Sequence, residues 1–229
     1  MGNYIQLDRV TDLERVEFYK KTYTHVALGV LVFIIIEAFF LNTPMITNFA
    51  LSLTQGKMWF LMLGGFMLVT YQAEKMAINS QERNKQYLGF GIFIVAEAFI
   101  FIPLLYIAMN MTGGVDLIKQ AALLTVALFA GLSATVILTN KDFSFLKSAL
   151  TIGGFIALGL IGAGLLFGFN LGLWFSVGMV ILAAGSILYQ TSNLVHKYNT
   201  DQYVAAALGL FASLMLMFWY ILRIFMSKK

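Results

Sequence analysis

Cysteine is absent from these 229 residues, which excludes disulfides, thiolate metal sites and thiol nucleophiles outright. Charge is nearly as scarce. Charged residues make up 11% of the chain and hydrophobic ones 60%, whereas a soluble domain carries roughly a quarter charged residues. The signatures of membrane-embedded chemistry are missing too. There is no HExxH zinc motif, and GLSAT at 131–135 lacks the following glycine that a serine protease motif wants. The last apolar run has no lysine to hold a retinal Schiff base, and no glycine-rich phosphate loop occurs. These absences argue against an enzyme, and no residue set points to a cofactor or a resident metal. The net charge of +4 comes from thinly spread basic residues that flank apolar stretches, so no nucleic-acid surface is expected.

What is present is hydrocarbon in long runs. Segments of about 20 apolar residues, the length that crosses a bilayer core, fall at 22–41, 58–73, 87–109, 118–139, 147–168, 171–192 and 203–225. They do not alternate every second residue as barrel strands do, so the expectation is an all-α integral membrane protein with seven transmembrane helices. The second run is the shortest. The last follows the polar loop KYNTDQ and ends at Arg223, which leaves open whether it crosses fully or re-enters. Residues 22–229 are read as one transmembrane domain. Residues 1–21 are read as a cytoplasmic segment in which Leu7, Val10, Leu13 and Val16 recur every third position, either an amphipathic helix on the membrane surface or a solvated lead-in. Nothing in the first run resembles a cleaved signal peptide.

Lys and Arg set the orientation. Ten lie on the side of the amino terminus, among them Arg9, Arg15, Lys75, Arg83, Lys141 and Lys197, against five on the other side if the seventh run crosses. The amino terminus is therefore expected in the cytoplasm. Trp59, Trp174, Trp219 and several tyrosines fall near run ends, as an aromatic belt does. Gly164 and Gly168, four apart, suggest a close helix–helix approach. His25 reads as an interfacial residue, His196 as a solvated loop residue, and Asp142 as a helix cap.

Two carboxylates break the hydrocarbon. Glu37 stands in FIIIEAFFL and Glu97 in FIVAEAFIF. At 1.5 Å per residue Glu37 lies roughly 22 Å into its run and Glu97 roughly 15 Å into its own, near mid-membrane. The helical neighbours of Glu97, including Phe90, Ile94 and Phe101, cannot hydrogen-bond it, so a partner must come from another helix. Such an acid is expected to sit neutral. It is either a step in a proton or cation relay or a hydrogen-bond donor that ties helices together. A calcium site would need six or more oxygens, more than Glu97, Gln190 and Ser213 supply.

The second half carries the most particular pattern. TNKDFSFLKSAL at 139–150 and GSILYQTSNLVHKYNTDQYVAAALGLFASLMLMFWYILRIF at 185–225 resemble the Bax inhibitor-1 family of seven-span membrane proteins. The bacterial branch, whose members modulate a membrane-anchored AAA protease of the inner membrane, is the most similar. The resemblance implies a central seventh helix wrapped by two three-helix layers. In the family's calcium-leak members it implies two aspartates that share protons and form a pH-sensitive latch. The matching positions here are Gln190 and Ser213, and neither ionises. Two functions follow as expectations. One is a non-enzymatic modulator that docks on a membrane protease through its cytoplasmic amino-terminal segment, with Arg9, Asp12 and Arg15 as contact residues. The other is a calcium or proton leak through the bundle, with Glu97 and Glu37 replacing the lost acids.

Overall fold

The computed structural model describes residues 12–80 and 82–227, and among them every regular element is a helix. The eight helices are α1 (Asp12–Leu41), α2 (Pro44–Ser52), α3 (Met58–Asn79), α4 (Arg83–Met109), α5 (Gly114–Thr139), α6 (Leu146–Phe167), α7 (Gly172–His196) and α8 (Tyr203–Met226). All except α2 and α3 are long and apolar enough to cross a membrane by length and composition. α3 coincides with the second apolar run, but its last turns carry Tyr71, Gln72, Glu74 and Lys75, which dilutes its hydrocarbon character. α8 is an unbroken helix of 24 residues.

α2 is an element that the apolar runs do not reveal. Its nine residues are too few to span. Pro44 stands at its start, where the missing N–H costs nothing, and Thr47 Oγ1 donates to the Phe40 carbonyl at 2.8 Å, tying it back to α1. α1 in turn begins at Asp12 and runs without a break past residue 21. Phe18 is 1% exposed, so residues 12–21 are its first turns and part of the packed body. Leu13 and Val16 are exposed. Leu7, Val10 and Arg9 lie outside the described residues.

The chain forms two compact units. The first takes in residues up to Ile102 together with Asn193–Phe211. Within it α1, α4 and the start of α8 run parallel. Gly29 sits against Phe90, Ile94 and Phe211, and Phe33 meets Phe101 edge-on at 5.2 Å. The contacts Arg83 to Asp201 and Phe90 to Phe211 advance together along α4 and α8. α3 packs antiparallel on α4 through Gly89, where a Cβ would stand 2.5 Å from the Ala73 carbonyl oxygen.

The second unit comprises Pro103–Ser192 and the chain from Ala212 onward. Its helices α6 and α7 are antiparallel and interlock through glycines. A Cβ on Gly153 would stand 2.7 Å from Leu182, and one on Gly185 3.2 Å from Leu150. A Cβ on Gly164 would stand 3.2 Å from the Phe169 carbonyl oxygen, in the chain that follows α6. Gly168 is the left-handed residue, φ +74°, that ends α6, and its N–H donates to the Gly164 carbonyl, a termination that favours glycine. α7 and α8 also run antiparallel, with Met179 and Tyr220 in a core with Ala157. Of the apolar windows of these helices, 78% of the α8 window is buried and 61% of that of α4, against 6% for α6. α4 carries Pro103 in its interior, which removes the hydrogen bond to the Phe99 carbonyl.

Candidate functional site

Helical spacing puts both intramembrane acids on buried stripes. On α1 the buried positions are Phe18, Thr22, Val26, Gly29, Phe33 and Glu37, every third or fourth residue along one face. On α4, Phe90, Ile94, Glu97 and Phe101 form a matching stripe, all buried. The two stripes face each other, because Gly29 lies against Phe90 and Ile94 and Phe33 against Phe101. Glu97 stands one turn before the Phe33–Phe101 layer and Glu37 one turn after it. The acids are thus offset by about 12 Å along the interface at 1.5 Å per residue.

Glu37 is 4% exposed and neither of its oxygens has a hydrogen-bond partner. An unpartnered buried polar group costs about 1–3 kcal/mol, and intramembrane acids are rare and concentrated where protons or ions move. Glu97 is 7% exposed. The Ser213 hydroxyl is 2.8 Å from that of Ser186. Among the described residues no group of three acidic or histidine side chains could hold a metal ion.

Gln190 and Ser213, the positions that the resemblance matches to the family's latch, lie on α7 and α8. Ser213 is buried and pairs with Ser186, one turn before Gln190 on the same face of α7. Gln190 is half-buried. Around it the second unit is tied by hydroxyls. Thr191 and Ser133 are 3.4 Å apart, and Ser192 Oγ donates to Asp142 at 3.0 Å while accepting the Phe143 N–H at 2.8 Å. Asp142 also accepts from the Ser144 N–H and hydroxyl at 2.8 and 2.5 Å. It closes a turn and clasps α7. α6 begins only at Leu146, with no side-chain cap, so the helix-cap reading of Asp142 is replaced by this one. His196 is exposed in the last turn of α7.

Of the predicted contact residues, Asp12 is exposed and Arg15 partly so in the first turn of α1, while Arg9 lies outside the described residues. His25 has a fuller role than an interfacial one. Its Nδ1 is 2.7 Å from the Lys21 carbonyl, so that nitrogen carries the hydrogen, and its Nε2 is 3.2 Å from the Tyr87 hydroxyl. In the neutral ring Nε2 accepts, Tyr87 donates to it, and Tyr203 donates to Tyr87 at 3.1 Å. Arg83 lies over the Tyr203 ring at 4.5 Å and donates to the Gln86 amide oxygen and the Asp201 carbonyl. These residues come from α1, α4 and the start of α8, 62 and 116 positions apart. The only trace of the cluster in the sequence is that each member sits where an apolar run begins.

The family profile described as Inhibitor of apoptosis-promoting Bax1 matches residues 15–229. A protein of Pseudomonas aeruginosa is 36% identical over 54% of this chain and 55% of its own length. The modulator of FtsH protease YccA of Escherichia coli is 33% identical over 55% of this chain and 57% of its own. Protein LIFEGUARD 4 of Arabidopsis thaliana is 28% identical over 93% of this chain and 85% of its own length. The chain thus spans little more than half the length of the two bacterial relatives. None of these descriptions is that of an enzyme.

Proposed function

The chain belongs to the Bax inhibitor-1 family, and on that premise we propose that it is a non-enzymatic modulator of a membrane-anchored AAA protease in a bacterial inner membrane. The observation that carries this reading is the hydroxyl pair Ser186–Ser213 at 2.8 Å, because Ser213 and Gln190 are the positions that the resemblance matches to the proton-sharing acids of the leak members. Hydroxyls and amides keep one protonation state across the physiological range, so a pH-gated leak lacks its gate. The relative described as a modulator of FtsH protease supports the same reading.

In this reading α1 and α3–α8 cross the membrane seven times with the amino terminus in the cytoplasm, and α8 is the central helix of two three-helix layers. The parallel run of α1, α4 and the start of α8 supports the odd crossing number, and the burial of α8 supports its position.

The docking handle is the amino-terminal segment with Arg9, Asp12 and Arg15. Because Phe18 is packed, a test must spare it. Deleting residues 1–11 and replacing Arg15 by Glu is expected to abolish recovery of the protease with the tagged protein from detergent-solubilised membranes, while the variant keeps its helical content. Undiminished recovery would move the handle elsewhere.

A second reading, a calcium or proton leak, rests on the two buried acids facing the α1–α4 interface. It has Glu97 and Glu37 as relay groups, with Gln190 and Ser213 lining the path.

A further inference from the structure

The first unit contains a cavity of about 810 Å³ between α1, α3 and α4. Its walls are hydrocarbon, including Val32 and Ile36 of α1 and Ile92 and Val95 of α4, and its room comes from Gly65 on α3 and Gly91 on α4. Neither glycine has a neighbour within 4 Å of where a Cβ would be. Along α4 the groove runs from Tyr87 to Ile100, about 20 Å at 1.5 Å per residue. The hydrocarbon of one leaflet is about 15 Å deep, so an acyl chain fits along it. A helix of about 10 Å diameter over the same length would fill about twice the volume and stand half outside.

Tyr87 is the polar end of this groove. Its hydroxyl belongs to the His25–Tyr203 network, and cations collect around it. Arg83 lies over Tyr203, and the oxygens that accept from it, the Gln86 amide and the Asp201 backbone carbonyl, are neutral. Lys21 stands 5.8 Å from the Tyr203 ring and pairs with Glu17 on the surface. Lys85 pairs with Glu82. Lys75 sits at the level of Gly89, where α3 and α4 touch, with Glu74 beside it in sequence and no ion pair among the described residues. Arg83, one turn before Tyr87 on α4, and Lys75, exposed on α3 at the same level, are therefore two cations without an acidic partner among the described residues.

We propose that this groove binds one anionic glycerophospholipid, with an acyl chain between α1, α3 and α4 and its phosphate at the cations near the Tyr87 end, Arg83 and Lys75. Cations near a membrane surface favour anionic headgroups by about 1 kcal/mol each. The full-length protein, purified and analysed by native mass spectrometry, is expected to retain one phosphatidylglycerol about tenfold or more over phosphatidylcholine of the same chains. Lys75→Gln with Arg83→Gln should bring the two lipids to parity. Gly65→Leu with Gly91→Leu, whose side chains enter open space, should remove both. As a measurement independent of those variants, a tryptophan introduced by Val95→Trp should be quenched more by chain-brominated phosphatidylglycerol than by the brominated choline lipid. Equal retention of both lipids by the parent, equal quenching, or retention that survives the leucine pair would overturn the proposal. So would a leucine pair that changes the number of copies in the complex and leaves lipid retention alone, since the groove would then hold a second copy.

Discussion

Glu37→Leu is expected to raise the stability of the solubilised protein by about 1–3 kcal/mol, the cost of a buried polar group left without a partner. Neither Glu37 oxygen is hydrogen-bonded, and leucine fills similar space between α1 and its neighbours with hydrocarbon. Thermal unfolding in detergent reads the change, and a fall in stability would mean that a bound water or ion satisfies the carboxyl. The companion change, Glu97→Gln, keeps shape and hydrogen-bonding capacity but cannot titrate. Under the modulator reading its stability and protease association both match the parent. Under the leak reading, proton or calcium flux in liposomes collapses in Glu97→Gln, and Glu37→Gln follows to a smaller degree.

The second large effect is expected from placing acids at the two positions matched to the family's latch. Ser213 already faces Ser186, one turn from Gln190, so Gln190→Asp with Ser213→Asp places two carboxyls within reach of a shared proton in a buried seam. Like charges so close cannot both ionise cheaply, and the pair titrates in two separated steps. Calcium permeability of liposomes holding the double variant should change steeply between about pH 5 and 8, while that of the parent stays flat across the range. A flat profile in the double variant would mean that the two positions do not act on each other.

How far the sequence carried this account depends on the residue. Runs of hydrocarbon long enough to cross a bilayer are local, so α1 and α4–α8 stand where the runs do, and the 3.6-residue period alone puts Glu37 on the stripe of Phe33 and Glu97 on that of Phe101. The nine residues of α2 carry no periodic signal, and its start is fixed by Pro44 and by a bond from Thr47 to Phe40. Gly164 and Gly168 had the spacing of a packing motif, yet a left-handed helix end asks for glycine just as firmly, and only the backbone angle distinguishes the two. The glycines through which α6 and α7 interlock, Gly153 and Gly185, lie on different helices, and their reciprocal fit with Leu182 and Leu150 is tertiary. The same holds for His25, Tyr87, Arg83 and Tyr203. Each sits near the start of an apolar run, and the cluster exists only because α1, α4 and the start of α8 run parallel.

The central claim is modulation of a membrane protease without catalysis or gated conduction. It is tested most directly by reconstituting the membrane-anchored protease in liposomes, with and without this protein, and following degradation of a membrane substrate alongside calcium and proton entry. A modulator changes the degradation rate with the amount of this protein added, the change reverts on deleting residues 1–11 with Arg15→Glu, and ion entry stays at the level of vesicles lacking it. An unchanged degradation rate together with ion entry abolished by Glu97→Gln would contradict it and establish the leak in its place.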